Sequence, residues 1–470
     1  MRRITIRLAL LSIVAALLLL AQPVSSQTDI PVTDLGPMAS YGSPTDVNNQ
    51  GHVVGWHSPP GSFGSVHFLW TPANGWLDLP GGGLRYVYNN DLGQVVANNY
   101  VATGQVETVL WDNGQSTPLG DLGGAYALPR DLNEAGQVAG DSYTAERKWH
   151  AYLWTQEGGM VDLGTLGEDR SRAVGMNDLG WVVGDSLTAD GANHAFLWTP
   201  GDGMVDLGTL GGNYSRAYAV NNSGQVVGAS STSADEDHAF LWTAKGGMVD
   251  LGTLGGTYSA ACDISESGHV IGSSYTAGNA ETHGFLWTSA GGMVDLGTLG
   301  GGRSRANRVN KFGQVVGSSR LATGETHAFH WTPVAGIVDL GTITGGSTSD
   351  AVDVNEQGLV VGWSSAADGT RHAVLWTAML SPEQQIQALN DQVTGLVDEG
   401  VLSSGSANAL IQKLDNAARQ LDAGKTSVVC AQLEAFINQV EALTRTGKLT
   451  EELGAELIGA ANSIIGQVCG

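Results

Sequence analysis

His238-Ala239-Phe240-Leu241-Trp242-Thr243, a Gly turn, then Met248-Val249-Asp250-Leu251-Gly252-Thr253-Leu254-Gly255-Gly256 is the stretch whose reading decides the fold, because the phrase returns along most of the chain. Its Trp recurs at 70, 111, 154, 198, 242, 287, 331 and 376, in steps of 41 to 45 residues. A fixed period of that length with strand-like content marks a repeat architecture. A residue present in nearly every copy is expected to build the repeat, so any chemistry should sit where the copies disagree.

Working outward, residues 216–252 divide into four short pieces. These are Arg216 to Asn221, Gln225 to Ser230, His238 to Thr243 and Met248 to Gly252. The apolar runs last four to six residues and are bounded by Asn, Gly, Ser and Asp, which predicts strands a, b, c and d joined by tight turns. An Asn-x-x-Gly turn precedes strand b at Asn48, Asn90, Asn133, Asn177, Asn221, Asn310 and Asn355. Gly suits its last position because a positive φ carries little steric cost there. The Gly that follows in strand b is Gly55, Gly140, Gly184, Gly228, Gly272, Gly317 and Gly362, with Ala97 in the second copy.

Eight a-b-c sets are present, and eight d strands, but one d is displaced. Asp34-Leu35-Gly36 precedes every a-b-c set, and the last set ends at Trp376 with no d after it. A solenoid has no use for this offset. A ring does, since closure removes exposed sheet edges. Residues 28–377 are therefore expected to form an eight-bladed β-propeller of about 44-residue repeats, closed by an N-terminal strand at 30–35. A right-handed β-solenoid is the competing architecture.

The chain begins Met1-Arg2-Arg3, runs through an apolar stretch from Leu8 to Ala21 and reaches Val24-Ser25-Ser26. This reads as a secretory signal peptide over 1–26, and no other stretch has the length of a membrane span. Removing it takes away three Arg and no acid, moving the net charge from −24 to −27. Such a balance argues against nucleic acid or an anionic membrane as partner. An extracellular glycan or surface protein is compatible with it, as is plain solubility.

Composition changes at Ser381, where Ala, Leu, Gln and Glu replace Gly and the β-branched runs. Ser381-Pro382-Glu383-Gln384 is a helix start, and Ile386, Leu389, Val393 and Leu396 follow at helical spacing. Further helices are expected over about 404–422, 427–445 and 451–468, so 381–470 is predicted to be a four-helix bundle. Cys430 near the start of the third helix and Cys469 at the end of the fourth meet in an antiparallel hairpin. In an oxidising compartment these two are expected to form a disulfide. Cys262, within strand a of the sixth copy, reads as a buried, inert thiol.

The H-A-F-L-W…D-L-G-T-L-G-G…N-x-x-G-x-V-V-G pattern over 34–376 resembles the HAF-repeat family of predicted extracellular bacterial proteins. The second copy departs from it, since Glu107-Thr108-Val109-Leu110-Trp111 lacks the His and Asp78-Leu79-Pro80 interrupts D-L-G. The C-terminal segment, with Ala435-Phe436-Ile437-Asn438-Gln439-Val440 and its two Cys, is similar to the helical FIMAH domain of bacterial secreted proteins. Neither resemblance implies a catalytic mechanism.

Seven His share one register (His67, His150, His194, His238, His283, His327 and His372), close in sequence to the repeated Asp. One residue per blade cannot converge on a metal, so these predict a hydrogen bond inside each repeat, and no metal or cofactor is expected. No nucleophile elbow, zinc helix, phosphate loop or EF-hand sequence is present. The b–c loops vary between copies, as does the residue after the strand-b Gly. That residue is Trp56 and Trp363 in copies that only closure makes neighbours, and Asp141 and Asp185 in the third and fourth. Trp149 lies in a variable loop. The Trp pair is either a stacking platform or a cover for the closing seam. The Asp pair is either a glycosidase-type carboxylate couple or a strand-end device. The favoured reading is a secreted, non-enzymatic binding or scaffold protein; the alternative is a carbohydrate-active hydrolase or lyase.

Overall fold

The computed structural model describes residues 30–38, 41–59, 64–101, 105–333, 335–377, 382–398 and 401–469. The expected signal peptide, the helix-start residue Ser381 and part of the first b–c loop (60–63) lie outside the described residues. The chain is mainly β, with repeated propeller-like sheets followed by a helical region.

In the fifth copy the strands are Gly211–Val220, Val226–Thr232, Asp237–Thr243 and Gly247–Asp250, paired antiparallel in the order a-b-c-d. Strand a starts five residues before the expected Arg216. The Gly-Gly stretch after D-L-G-T-L is itself extended, and Gly211 pairs with Thr232 before the register shifts ahead of Ser215. A second shift, between Ala217 and Ala219, leaves Tyr218 as a bulge. Bulges of this kind re-aim a side chain and bend the strand. The displaced strand spans Val32–Pro37 and pairs antiparallel with Arg371–Thr377, bringing Asp34 opposite Val374.

Volume matching explains the strand-b Gly. A Cβ on Gly228 would lie 2.0 Å from the Arg216 carbonyl oxygen and 2.8 Å from the Phe240 ring, so only Gly lets Phe240 lie flat across strand b. Phe68, Phe196, Phe285 and Phe329 are likewise wholly buried. In the second copy, where Ala97 replaces Gly, its partner across the ladder is Val109 and not an aromatic. The larger residue on one strand is met by a smaller one on the next, as close packing requires.

The recurring polar residues are consumed by the framework. His150, His194, His238, His283 and His327 each place Nδ1 2.8–2.9 Å from the Asp of strand d in the same copy, and His372 does so with Asp34 of the displaced strand. The same Asp accepts from the backbone N–H two residues on, as Asp162 does from Gly164. His67 departs from this, turning to the Leu84 carbonyl at 2.7 Å while His57 takes Asp78.

A second set runs between copies. Asn48 donates through Nδ2 to the Asn90 carbonyl, Asn90 to Asn133, Asn133 to Asn177, Asn177 to Asn221 and Asn221 to Ser265. Asn310 then donates to Asn355, and Asn355 returns to the Asn48 carbonyl at 3.0 Å across 307 residues of sequence. Only the step from Ser265 to Asn310 lacks its side-chain amide, because the residue there is Ser.

Helices α1 (Pro382–Asp398), α2 (Ser404–Asp422), α3 (Thr426–Arg445) and α4 (Glu451–Cys469) share one apolar core that includes Ile386, Leu389, Leu410, Leu433, Phe436 and Leu457. Ser403 caps α2 by accepting from the Ser406 N–H. Cys430 and Cys469 are joined by a disulfide, with Cα atoms 6.4 Å apart. No helix among the described residues is long and apolar enough to cross a membrane.

Candidate functional site

Antiparallel a-b-c-d order puts the uniform a–b and c–d turns at one end of each repeat and the varying b–c loops at the other. The candidate site residues lie toward that second end. Trp56 is buried, 6% exposed, and Trp363 is half-buried. The two are linked through the exposed Tyr41 and two guanidinium groups. Arg85 lies 4.3 Å from the Trp56 ring centre, Arg371 lies 3.9 Å from that of Trp363, and both also face Tyr41. Cation–π contacts of this kind fill one face of each indole. Trp149 is elsewhere, packed 4.2 Å from Tyr143 and edge-on to Tyr126.

Asp141 and Asp185 are both buried, at 1% and 4% exposure. Arg130 Nε donates to Asp141 at 2.7 Å, and the Ala173 N–H of the next copy donates at 2.8 Å. Burial pushes the Asp141 carboxyl up from its ordinary value, and Arg130 opposes that. Asp185 lies 3.1 Å from Arg216 Nε and 4.0 Å from Arg170. Each carboxylate thus faces an arginine.

Arg130 and Arg216, together with Tyr86, Tyr88, Arg172 and Val174, line a cavity of about 400 Å³ among the a strands of the second to fifth copies. Arg130 stacks 4.6 Å from the Tyr86 ring. Below it, the bulged strands present Asp131, whose carboxylate accepts from Leu132 and Met176 N–H groups and is pushed up to about 6 by burial. Asp46 is raised well above its ordinary value by burial and by the neighbouring Asp353. Cys262 is free and half-buried, its thiol pushed up to about 12 by burial. Among the described residues, no group of three or more His, Cys, Asp or Glu is placed to hold a metal ion.

Comparison of the copies after the strand-b Gly does not find the arginine cavity. Its signal is in strand a, where Arg172 and Arg216 precede the Ala opposite that Gly, Tyr86 precedes Val87 opposite Ala97, and Arg130 occupies the bulge.

The fold and this site define a propeller-type protein with a helical appendage. Residues 386–466 match the FIMAH domain family. No curated protein sequence matches the chain. Among solved structures, the β-propeller domain of the Trilobed protease from Pyrococcus furiosus is similar at 11% identity and a TM-score of 0.45, covering 65% of this chain and 99% of that one. TolB from Acinetobacter baumannii is similar at 10% identity and 0.34, covering 68% and 78%. An acylaminoacyl peptidase from Pyrococcus horikoshii is similar at 9% and 0.44, covering 71% and 59%.

Proposed function

We propose that residues 28–377 form an eight-bladed β-propeller closed by its N-terminal strand, and that 381–470 form a four-helix bundle of FIMAH type. The chain is a secreted, non-enzymatic binding or scaffold protein exported through the signal peptide at 1–26. The Asn circuit returning from Asn355 to Asn48 supports the ring, as does the pairing of Asp34 with His372. The resemblance of the repeats to the HAF family and the disulfide support an extracellular setting.

The observation that carries the binding reading is the pairing of Asp141 and Asp185 with arginines. A glycosidase couple needs one carboxylic acid and one carboxylate open to substrate. Here both carboxyls are buried against guanidinium groups, while aromatic and arginine side chains occupy the variable end. Such loops on a rigid scaffold are where recognition resides. Trp56 and Trp363 cover the closing seam, and Tyr41 is its exposed part.

The test is a screen of the mature chain against glycans and surface proteins, with product analysis. A ligand retained unchanged is the expected result; new reducing ends would establish the hydrolase or lyase alternative. Replacing Trp56 and Trp363 together with Ser should lower the melting temperature by several degrees, because buried apolar area is lost. Unchanged stability with lost ligand retention would instead make them a platform.

A further inference from the structure

We propose that the cavity among the a strands of the second to fifth repeats receives the carboxylate of an acidic sugar, a hexuronate unit of a polysaccharide, on Arg172. The proposal rests on the binding reading above and names its ligand class. The chain carries 46 acids against 22 Lys and Arg, yet three guanidinium groups converge on this one cavity. Two are neutralised, Arg130 by Asp141 and Arg216 by Asp185. Arg172 is half-buried and, among the described residues, has no side-chain hydrogen bond or close ion pair; its charge acts on Asp141 only through space. The remaining acid beneath the cavity, Asp131, is turned onto the backbone of Leu132 and Met176.

A partly enclosed guanidinium without a partner is costly to desolvate and well shaped to take a planar carboxylate through two parallel N–H donors. One guanidinium with its donors open matches a monoanion better than a phosphate. The walls favour a ligand rich in hydroxyls. Tyr88 lines the cavity with a hydroxyl that makes no hydrogen bond among the described residues, Tyr86 offers an aromatic ring, and the only aliphatic lining is Ala173 and Val174. An apolar residue beside a peptide C-terminal carboxylate would find little to cover it.

The experiment is calorimetric titration of the mature chain with trigalacturonate and with the neutral galactose trimer, on wild type and on Arg172→Gln and Arg172→Lys. The uronate should bind at least tenfold tighter than the neutral trimer. Arg172→Gln should abolish that preference at unchanged melting temperature, and Arg172→Lys should keep part of it. Equal affinity for the two trimers, or undiminished uronate affinity in Arg172→Gln, overturns the proposal. So does tighter binding of a peptide with a free C-terminal carboxylate. If the uronate fails while a neutral glycan or surface protein is retained, this assignment falls and the binding reading stands. Cleavage of the uronate polymer would overturn both.

Discussion

His330 stands in strand c where the other seven copies carry Leu69, Leu110, Leu153, Leu197, Leu241, Leu286 and Leu375. It is 4% exposed, its Nε2 has no partner, and burial lowers its pKa to about 4. Being depressed below the unfolded value, this group contributes stability that is present above about pH 6.5 and lost as the pH falls toward its folded value. His330→Leu should therefore stabilise the fold by roughly 1–3 kcal/mol at pH 7. The advantage should grow by about 1.4 kcal/mol for each pH unit below 6.5. Denaturant titrations at pH 7.5 and 5.5 check this; a difference between mutant and wild type that does not widen in acid contradicts it. Gly228→Ala belongs to the same scale: overpacking against Phe240 and the Arg216 carbonyl should cost about 1–3 kcal/mol by chemical denaturation, whereas Ala97 is tolerated opposite Val109.

At the scale of the element, the gap in the Asn circuit is a single residue wide. Ser265→Asn restores the missing amide donor toward the Asn310 carbonyl and should raise stability by about 0.5–1.5 kcal/mol. A lower melting temperature would mean that His269, whose Nδ1 lies 3.2 Å from Ser265 Oγ, needs the shorter side chain. How much was legible in the sequence also differs by element. The strand-c phrase and its Asp stand twelve residues apart, so the His–Asp bond inside a repeat can be read from side chains alone. The Asn circuit could not be read that way, because its acceptors are backbone carbonyls in the next copy. The early start of strand a was missed for a related reason: Gly-Gly looks like a turn, and only pairing with the end of strand b makes it extended. The arginine cavity escaped because Arg130 occupies a bulge, two positions beyond the register of Arg172 and Arg216, and bulges leave no mark in a spacing count.

For the whole molecule, the proposed ring depends on two non-local seams. One is the Asn355–Asn48 step, and the other is the strand Val32–Pro37 lying against Arg371–Thr377. Leu35 and Met38 from the N-terminal segment share a buried cluster with Phe68, Val361 and Leu375, so this strand joins the core at both ends of the repeat array. Without it, the strand Arg371–Thr377 would present an unpaired edge and the cluster would open. The most direct measurement is the melting temperature and aggregation state of the mature chain with residues 28–36 deleted. The account predicts an early-melting, aggregation-prone protein. A melting temperature equal to that of the intact chain would contradict the closed ring.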